Sequence, residues 1–325
     1  MIRLTSDDLE KAAALVYGQM QPTPQYAWPL LAEAVGAEVW VKHENHTPTG
    51  AFKVRGGITF IDWMRRAHPE MRGVCTATRG NHGQSIARAA NAAGLTAKIY
   101  VPRGNSVEKN AAMRAFGGEL IEFGADFDEA REEAFRVAEA EGLMIVPPFH
   151  SELVRGVATY GYELMSAVAE LDAIYVPIGC GSGICSTILA RDALGLKTQI
   201  IGVCSTEAQT TKLSVEAGRP VETGSATTFA DGMAVRVPVP EALEIYSKGA
   251  ERIVTVSDDE VAEAIRLYYT ATHNIAEGAG AAPLAALLQE KEKMRGKCVG
   301  VILCGGNIDT GWFLEVMAGR TPVPA

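Results

Sequence analysis

Short runs rich in β-branched residues alternate along the chain with longer segments whose apolar positions recur every three or four residues. The runs are EVWVK in the 39–43 region, GVCTA at 73–77, AKIYVP at 97–102, GELIEF at 118–123, LMIVPP at 143–148, DAIYVPI at 172–178, QIIGVC at 199–204, RIVTV at 252–256 and KCVGVILC at 297–304. Between them the Ala-rich stretches 83–93, 106–116, 126–140, 183–194 and 258–272 carry the helical period. Such alternation predicts an α/β fold, with open parallel sheets covered by helices on both faces. No repeat of about 20–50 residues recurs, and no Pro/Ser-rich linker marks a domain boundary.

The chain has 325 residues, 47% of them hydrophobic, which at roughly 150 residues per domain suggests two domains. Lys and Arg number 30 against 39 Asp and Glu, a net charge of −9, so no long-range field draws in nucleic acid or anionic lipid. No apolar run reaches the length of about 18 residues that spans a bilayer. The start, MIRLTSDDLEKAAALVYGQM, has acids where a secretory leader has a basic end. The expected location is cytoplasmic, with neither membrane nor nucleic acid as partner. Six cysteines without a CxxC pair read mostly as reduced, buried thiols.

Gly-rich and polar turns follow several strands, and in an open parallel sheet ligands collect beyond the carboxyl ends of strands. GAFKVRGG at 50–57 places Lys53 between Phe52 and Val54 at the start of a helical stretch. Partial desolvation there would favour the nucleophilic amine, although a solvated helix-start lysine has the same spacing. VPIGCGSG at 176–183 runs a strand into Gly179, Cys180, Gly181, Ser182 and Gly183 ahead of a helix. That reads either as a phosphate cradle of backbone N–H groups or as a tight structural turn. It matches neither the P-loop nor the dinucleotide fingerprint.

PTGAFKVRGG, TRGNHGQS, the Gly/Ser loop, EGAGAA at 277–282 and CGGNID at 304–309, in this order, resemble the pyridoxal-phosphate enzymes of the threonine dehydratase and serine racemase family. PTP at 22–24, VPRGNSVEKNAAMRAFGGEL at 101–120 and FADGMAV at 229–235 extend the likeness over almost the whole chain. The resemblance implies the tryptophan synthase β-like fold (fold type II). A small α/β domain at 45–150 would be inserted into a large one made of 1–44 and 151–325, with pyridoxal 5'-phosphate in the cleft between them. The chain ends soon after the CGGN turn, so no C-terminal regulatory domain is expected.

By the same resemblance Lys53 would carry the cofactor as a Schiff base and move the substrate α-proton. Phe52 and Gly232 would line the cofactor, Asn81 would hydrogen-bond its ring hydroxyl, and Gly179, Cys180, Gly181, Ser182 and Gly183 would hold its phosphate. Thr78, Arg79, Gly80, Asn81 and His82 would bind the substrate carboxylate, with His82 packed in the turn rather than acting as a base. Glu277 would lie near the ring or serve as a helix-start acid. Cys304 would face the pyridine nitrogen, where an uncharged thiol makes the cofactor a weaker electron sink and suits elimination better than transamination.

Two departures from the family pattern stand out. Family members associated with racemisation have a Ser before the Gly of the GNHG turn, whereas this chain has Arg79, which is poorly suited to exchanging protons. The metal-dependent members carry carboxylates after the strand that here reads IIGVC. Cys204, Ala208 and Thr210 stand across that segment, with Glu207 alone nearby, so no metal site is expected. The expected reaction is loss of water from a 3-hydroxy-L-amino acid to give a 2-oxo acid and ammonia in amino-acid catabolism. Phenylserine is the leading specific substrate, on the divergent TPTGAFKVRGG and TRGNHGQS segments, ahead of threonine or serine. 3-Hydroxyaspartate competes if Arg79 faces the side chain. A β-replacement synthase, a racemase and a non-catalytic pyridoxal-phosphate protein are the other readings, and a homodimer is the assembly to consider.

Overall fold

The computed structural model describes residues 2–324. In chain order the strands are β1 (Gln25–Ala27), β2 (Glu38–His43), β3 (Gly73–Ala77), β4 (Thr96–Val101), β5 (Glu119–Glu122), β6 (Met144–Ile145), β7 (Ala173–Pro177), β8 (Gln199–Ser205), β9 (Arg252–Val256) and β10 (Cys298–Leu303). The helices are α1 (Ser6–Tyr17), α2 (Pro29–Val35), α3 (Lys53–Ala67), α4 (Asn81–Ala92), α5 (Val107–Ala115), α6 (Phe127–Glu141), α7 (Ser151–Ala167), α8 (Ser182–Ala193), α9 (Thr210–Ala217), α10 (Pro240–Gly249), α11 (Asp258–Thr272), α12 (Gly278–Gln289), α13 (Lys291–Met294) and α14 (Thr310–Met317).

Two sheets result. The larger has the order β1-β2-β10-β7-β8-β9 and the smaller β5-β4-β3-β6. The fold is α/β with two units built on largely parallel sheets, as the resemblance implies. One correction applies: the larger sheet is mixed, because β1 pairs antiparallel with β2, Tyr26 opposite Val41. A three-residue edge strand with two exposed side chains offers no apolar alternation to read.

β7, β8 and β10 are nearly continuous apolar runs because helices cover both of their faces. α12 lies inside the larger unit, packs against α11, β7 and β10, and is buried along most of its length. Its Gly278 and Gly280 are required by close approach. A Cβ on Gly278 would stand 2.6 Å from the Ala230 Cα, and one on Gly280 would collide with the Gly305 carbonyl oxygen. The smaller sheet has its own cores, one of Phe60, Ile61, Met64, Val74 and Ile86 with their neighbours, another under α6.

α3 packs on α4 on one side and α7 on the other, joining the two units. At that join Arg55 and Lys42 meet Glu44 and Glu163, all four buried. In each unit the polar turns lie beyond the carboxyl ends of strands: Glu44–Phe52 after β2, Thr78–Gly80 after β3, Ile178–Gly181 after β7 and Cys304–Asp309 after β10.

Candidate active site

Lys53 opens α3 at the junction of these turns. Its backbone is pinned from two directions: the Phe52 N–H donates to the Cys304 carbonyl at 2.9 Å, and the Lys53 carbonyl accepts from Ser85 Oγ at 2.6 Å. The side chain is half-buried, with Nζ 5.0 Å from the centre of the Phe52 ring, and it donates to Ser182 Oγ at 2.9 Å. Desolvation holds its pKa below the ordinary lysine range, against the opposing pull of the Cys180 and Cys304 thiols.

Ser182 opens α8 directly after the loop that follows β7. Gly181 occupies the N-cap of α8 with φ 94°, a left-handed conformation that favours glycine, and no side chain caps the helix. Among the described residues the N–H groups of 179–183 find no protein acceptor. A Cβ on Gly179 would collide with the Gly232 carbonyl oxygen, and one on Gly181 would stand 2.7 Å from the Ala242 Cβ. Tyr160 braces the loop by donating to the Gly183 carbonyl at 2.8 Å. An uncapped helix start with several free N–H groups is an anion site, set here beside an amine. That donor set fits a phosphorylated aldehyde.

The turn after β3 has the same character. The Gly80 N–H donates to Thr78 Oγ1 at 3.0 Å, while the N–H groups of Arg79, Asn81 and His82 find no acceptor among the described residues. His82 is buried, its Nε2 3.4 Å from the Val146 carbonyl, and burial together with nearby Lys53 pushes its pKa down to about 3. Arg79 is exposed and has no ion-pair partner among the described residues.

Asn81 spans the floor. Its Nδ2 donates to both Glu277 oxygens at 2.8 and 3.0 Å, and its Oδ1 accepts from Asn307 Nδ2 at 2.8 Å. Glu277 does stand at the N-cap of α12, yet its side chain makes no cap bond. Burial, with Asp231 nearby, lifts its pKa to about 7 against the opposing pull of Lys109. Cys304 is also buried, and burial followed by the Glu277 charge raises the thiol well above its ordinary range.

Asn307, Lys109 and Asp231 belong to this site although sequence reasoning gave them no role. Each lies inside a segment that carried the resemblance, CGGNID, VPRGNSVEKN and FADGMAV. A charged or amide side chain inside such a segment is the signal that could have found them. Gly232 lies over Gly179, as its contact there requires. Among the described residues no group of three or more His, Cys, Asp and Glu side chains is placed to hold a metal, and no helix is long and apolar enough to cross a membrane.

Comparison with known proteins adds to this geometry. The family described as pyridoxal-phosphate dependent enzyme matches residues 16–305. An L-threonine ammonia-lyase of Thermotoga maritima is 33% identical over 97% of this chain and 78% of its own. A biosynthetic L-threonine dehydratase of Pasteurella multocida is 31% identical over 90% of this chain, which spans only 58% of that protein's length. Among solved structures, maize serine racemase superposes with a TM-score of 0.90 at 27% identity, covering 97% of each chain.

Proposed function

Because the chain belongs to the pyridoxal-phosphate dependent enzymes, and within them to the threonine dehydratase and serine racemase family, we propose that it removes water from a 3-hydroxy-L-amino acid, yielding a 2-oxo acid and ammonia. The observation that carries this reading is the Lys53 amine, 2.9 Å from Ser182 in a loop of unpartnered N–H groups. The cofactor is pyridoxal 5'-phosphate, which when bound supplies an electron sink for the substrate α-carbon that no side chain offers.

The chain's own residues supply the rest. Gly179 to Gly183 hold the phosphate with backbone N–H groups. Thr78 to His82 hold the substrate carboxylate in the same way at the start of α4. Lys53 Nζ, its pKa lowered by burial, takes the α-proton. Asn81, fixed by Glu277 and Asn307, presents its amide to the cofactor ring. Cys304 would offer the ring nitrogen an uncharged thiol, which limits the spread of charge from the α-carbon into the ring and favours prompt departure of the β-hydroxyl.

The named relatives include threonine-directed lyases, which supports a threonine-type substrate. The phenylserine reading rests on the departures in the TPTGAFK and TRGNHG segments. A second reading has an observation of its own: unpaired, exposed Arg79 beside the carboxylate turn suits the second carboxylate of 3-hydroxyaspartate. The test assays 2-oxo acid release from threonine, serine, phenylserine and 3-hydroxyaspartate isomers by the holoprotein. Turnover of at least one is expected, and Lys53→Ala should abolish both turnover and the yellow imine colour. Negligible rates on the whole panel would remove the dehydratase reading.

A further inference from the structure

Lys109 lies in the first turn of α5, in the smaller unit, and is buried. Its stem crosses the carboxylate turn so closely that a Cβ on Gly80 would stand 2.7 Å from its Cδ. Its ammonium pairs with Asp231, next to the Gly232 that overlies the phosphate loop. The same turn of α5 makes two more contacts to the larger unit: Ser106 Oγ donates to Asp309, and Glu108 Oε1 accepts from the Thr310 N–H at 3.0 Å. Three polar contacts thus fasten one helix start across the cleft, and the chemistry described above makes no use of Lys109.

Glu277 connects to that strap through the turn the Lys109 stem crosses, since Asn81, which follows Gly80, donates to it. Both of its oxygens accept from Asn81, whose own oxygen is occupied by Asn307, so the contact suits a carboxylate and leaves a proton without an acceptor there. The titratable groups around it are Asp231 from the 230s turn, Cys304 after β10 and Lys109 from α5, with Asp309 reaching it through Lys109. Asp231 disfavours a second negative charge and Cys304 is neutral, so the compensating cation on the α5 side is Lys109. A buried carboxylate needs such a partner.

We propose that Lys109 is a positioning residue: by docking α5 onto Asp231 it closes the cleft and keeps Glu277 an anion, which in turn holds Asn81 in its working orientation. This rests on the dehydratase reading for its kinetic readout only.

The experiment uses holoprotein loaded with pyridoxal phosphate. Lys109→Met should lower kcat/KM about tenfold or more, the scale of a lost charge-assisted contact, and move the acid limb of the pH profile upward. Lys109→Arg should restore both. A folding defect would not shift the limb. Independently of turnover, glycine, which has the amino and carboxylate groups but no β-leaving group, should slow hydrogen exchange in 105–110 and 229–234 together in the unaltered protein. If no amino acid is turned over but this joint protection appears, the substrate reading fails and the strap stands. Absence of joint protection, or a Lys109→Met profile with an unmoved acid limb, overturns the proposal.

Discussion

Burial sets the proton state of three site groups, and it does so in opposite directions. The charged form of a lysine carries the proton, so enclosing Lys53 favours its free amine; the charged forms of a carboxyl and a thiol lack it, so enclosure keeps Cys304 neutral and lifts Glu277 to about 7. His82, held down to about 3, is a neutral imidazole at physiological pH. If Glu277 orients Asn81 as an anion, kcat/KM declines as the pH falls through about 7. Glu277→Gln then removes that limb and lowers the plateau roughly tenfold. Stability runs the other way. The folded pKa lies above the ordinary 4.5, so the folded state takes the proton first; the penalty from this group is complete above about 7 and shrinks as the pH falls toward 4.5. A pH–rate profile of both proteins decides the matter, and an acid limb that survives Glu277→Gln belongs to another group.

At the scale of elements, the phosphate hold proposed for the start of α8 works through backbone alone, so its glycines are the sensitive positions. Gly181→Ala combines a left-handed φ of 94° with a Cβ 2.7 Å from Ala242, and should weaken pyridoxal phosphate binding about tenfold or more. Gly195, left-handed at φ 67° with nothing within 4 Å of a Cβ, is the control. Gly195→Ala should cost about 1–2 kcal/mol of stability and leave cofactor affinity alone, both measured by absorbance titration and denaturant melts. The elements themselves were unevenly legible. All nine β-branched runs contain a strand, although LMIVPP supplies only Met144–Ile145, and the five Ala-rich stretches are α4, α5, α6, α8 and α11 within one or two residues at each end. α12 carries no amphipathic period because it is buried on nearly every side, and Pro283 inside it speaks against a helix. In the site, turn composition makes Lys53 and the Gly/Ser loop candidates, and the ordered resemblance singles them out. Lys109 and Asp231 do not, because their meaning comes from pairing over 122 positions of sequence.

Across the whole molecule, composition shows no boundary between the two sheets because the segments joining them are helices with packed faces on both sides. α3 is the main joint, and the buried ion cluster secures it. Arg55 donates to Glu44 at 2.7 and 2.9 Å and to Glu163 at 2.6 and 2.9 Å, while Lys42 donates to Glu163 at 2.6 Å. Two cations balance two anions, and Thr23 and Thr159 take further hydrogen bonds. Arg55→Met therefore leaves Lys42 to serve Glu163 but strands Glu44, whose remaining neutral donor is Thr23. An uncompensated buried charge of this kind costs about 3–5 kcal/mol, which denaturant unfolding of the apoprotein should show directly. Arg55→Met combined with Glu44→Gln should recover part of the loss, since an amide is cheaper to bury than a carboxylate. The same cluster sits two residues from Lys53, so the single variant should also hold less cofactor as the start of α3 loosens. A stability loss below about 1 kcal/mol, the range of surface pairs, would mean that water reaches the cluster and that α3 is held by its apolar packing on α4 and α7 instead.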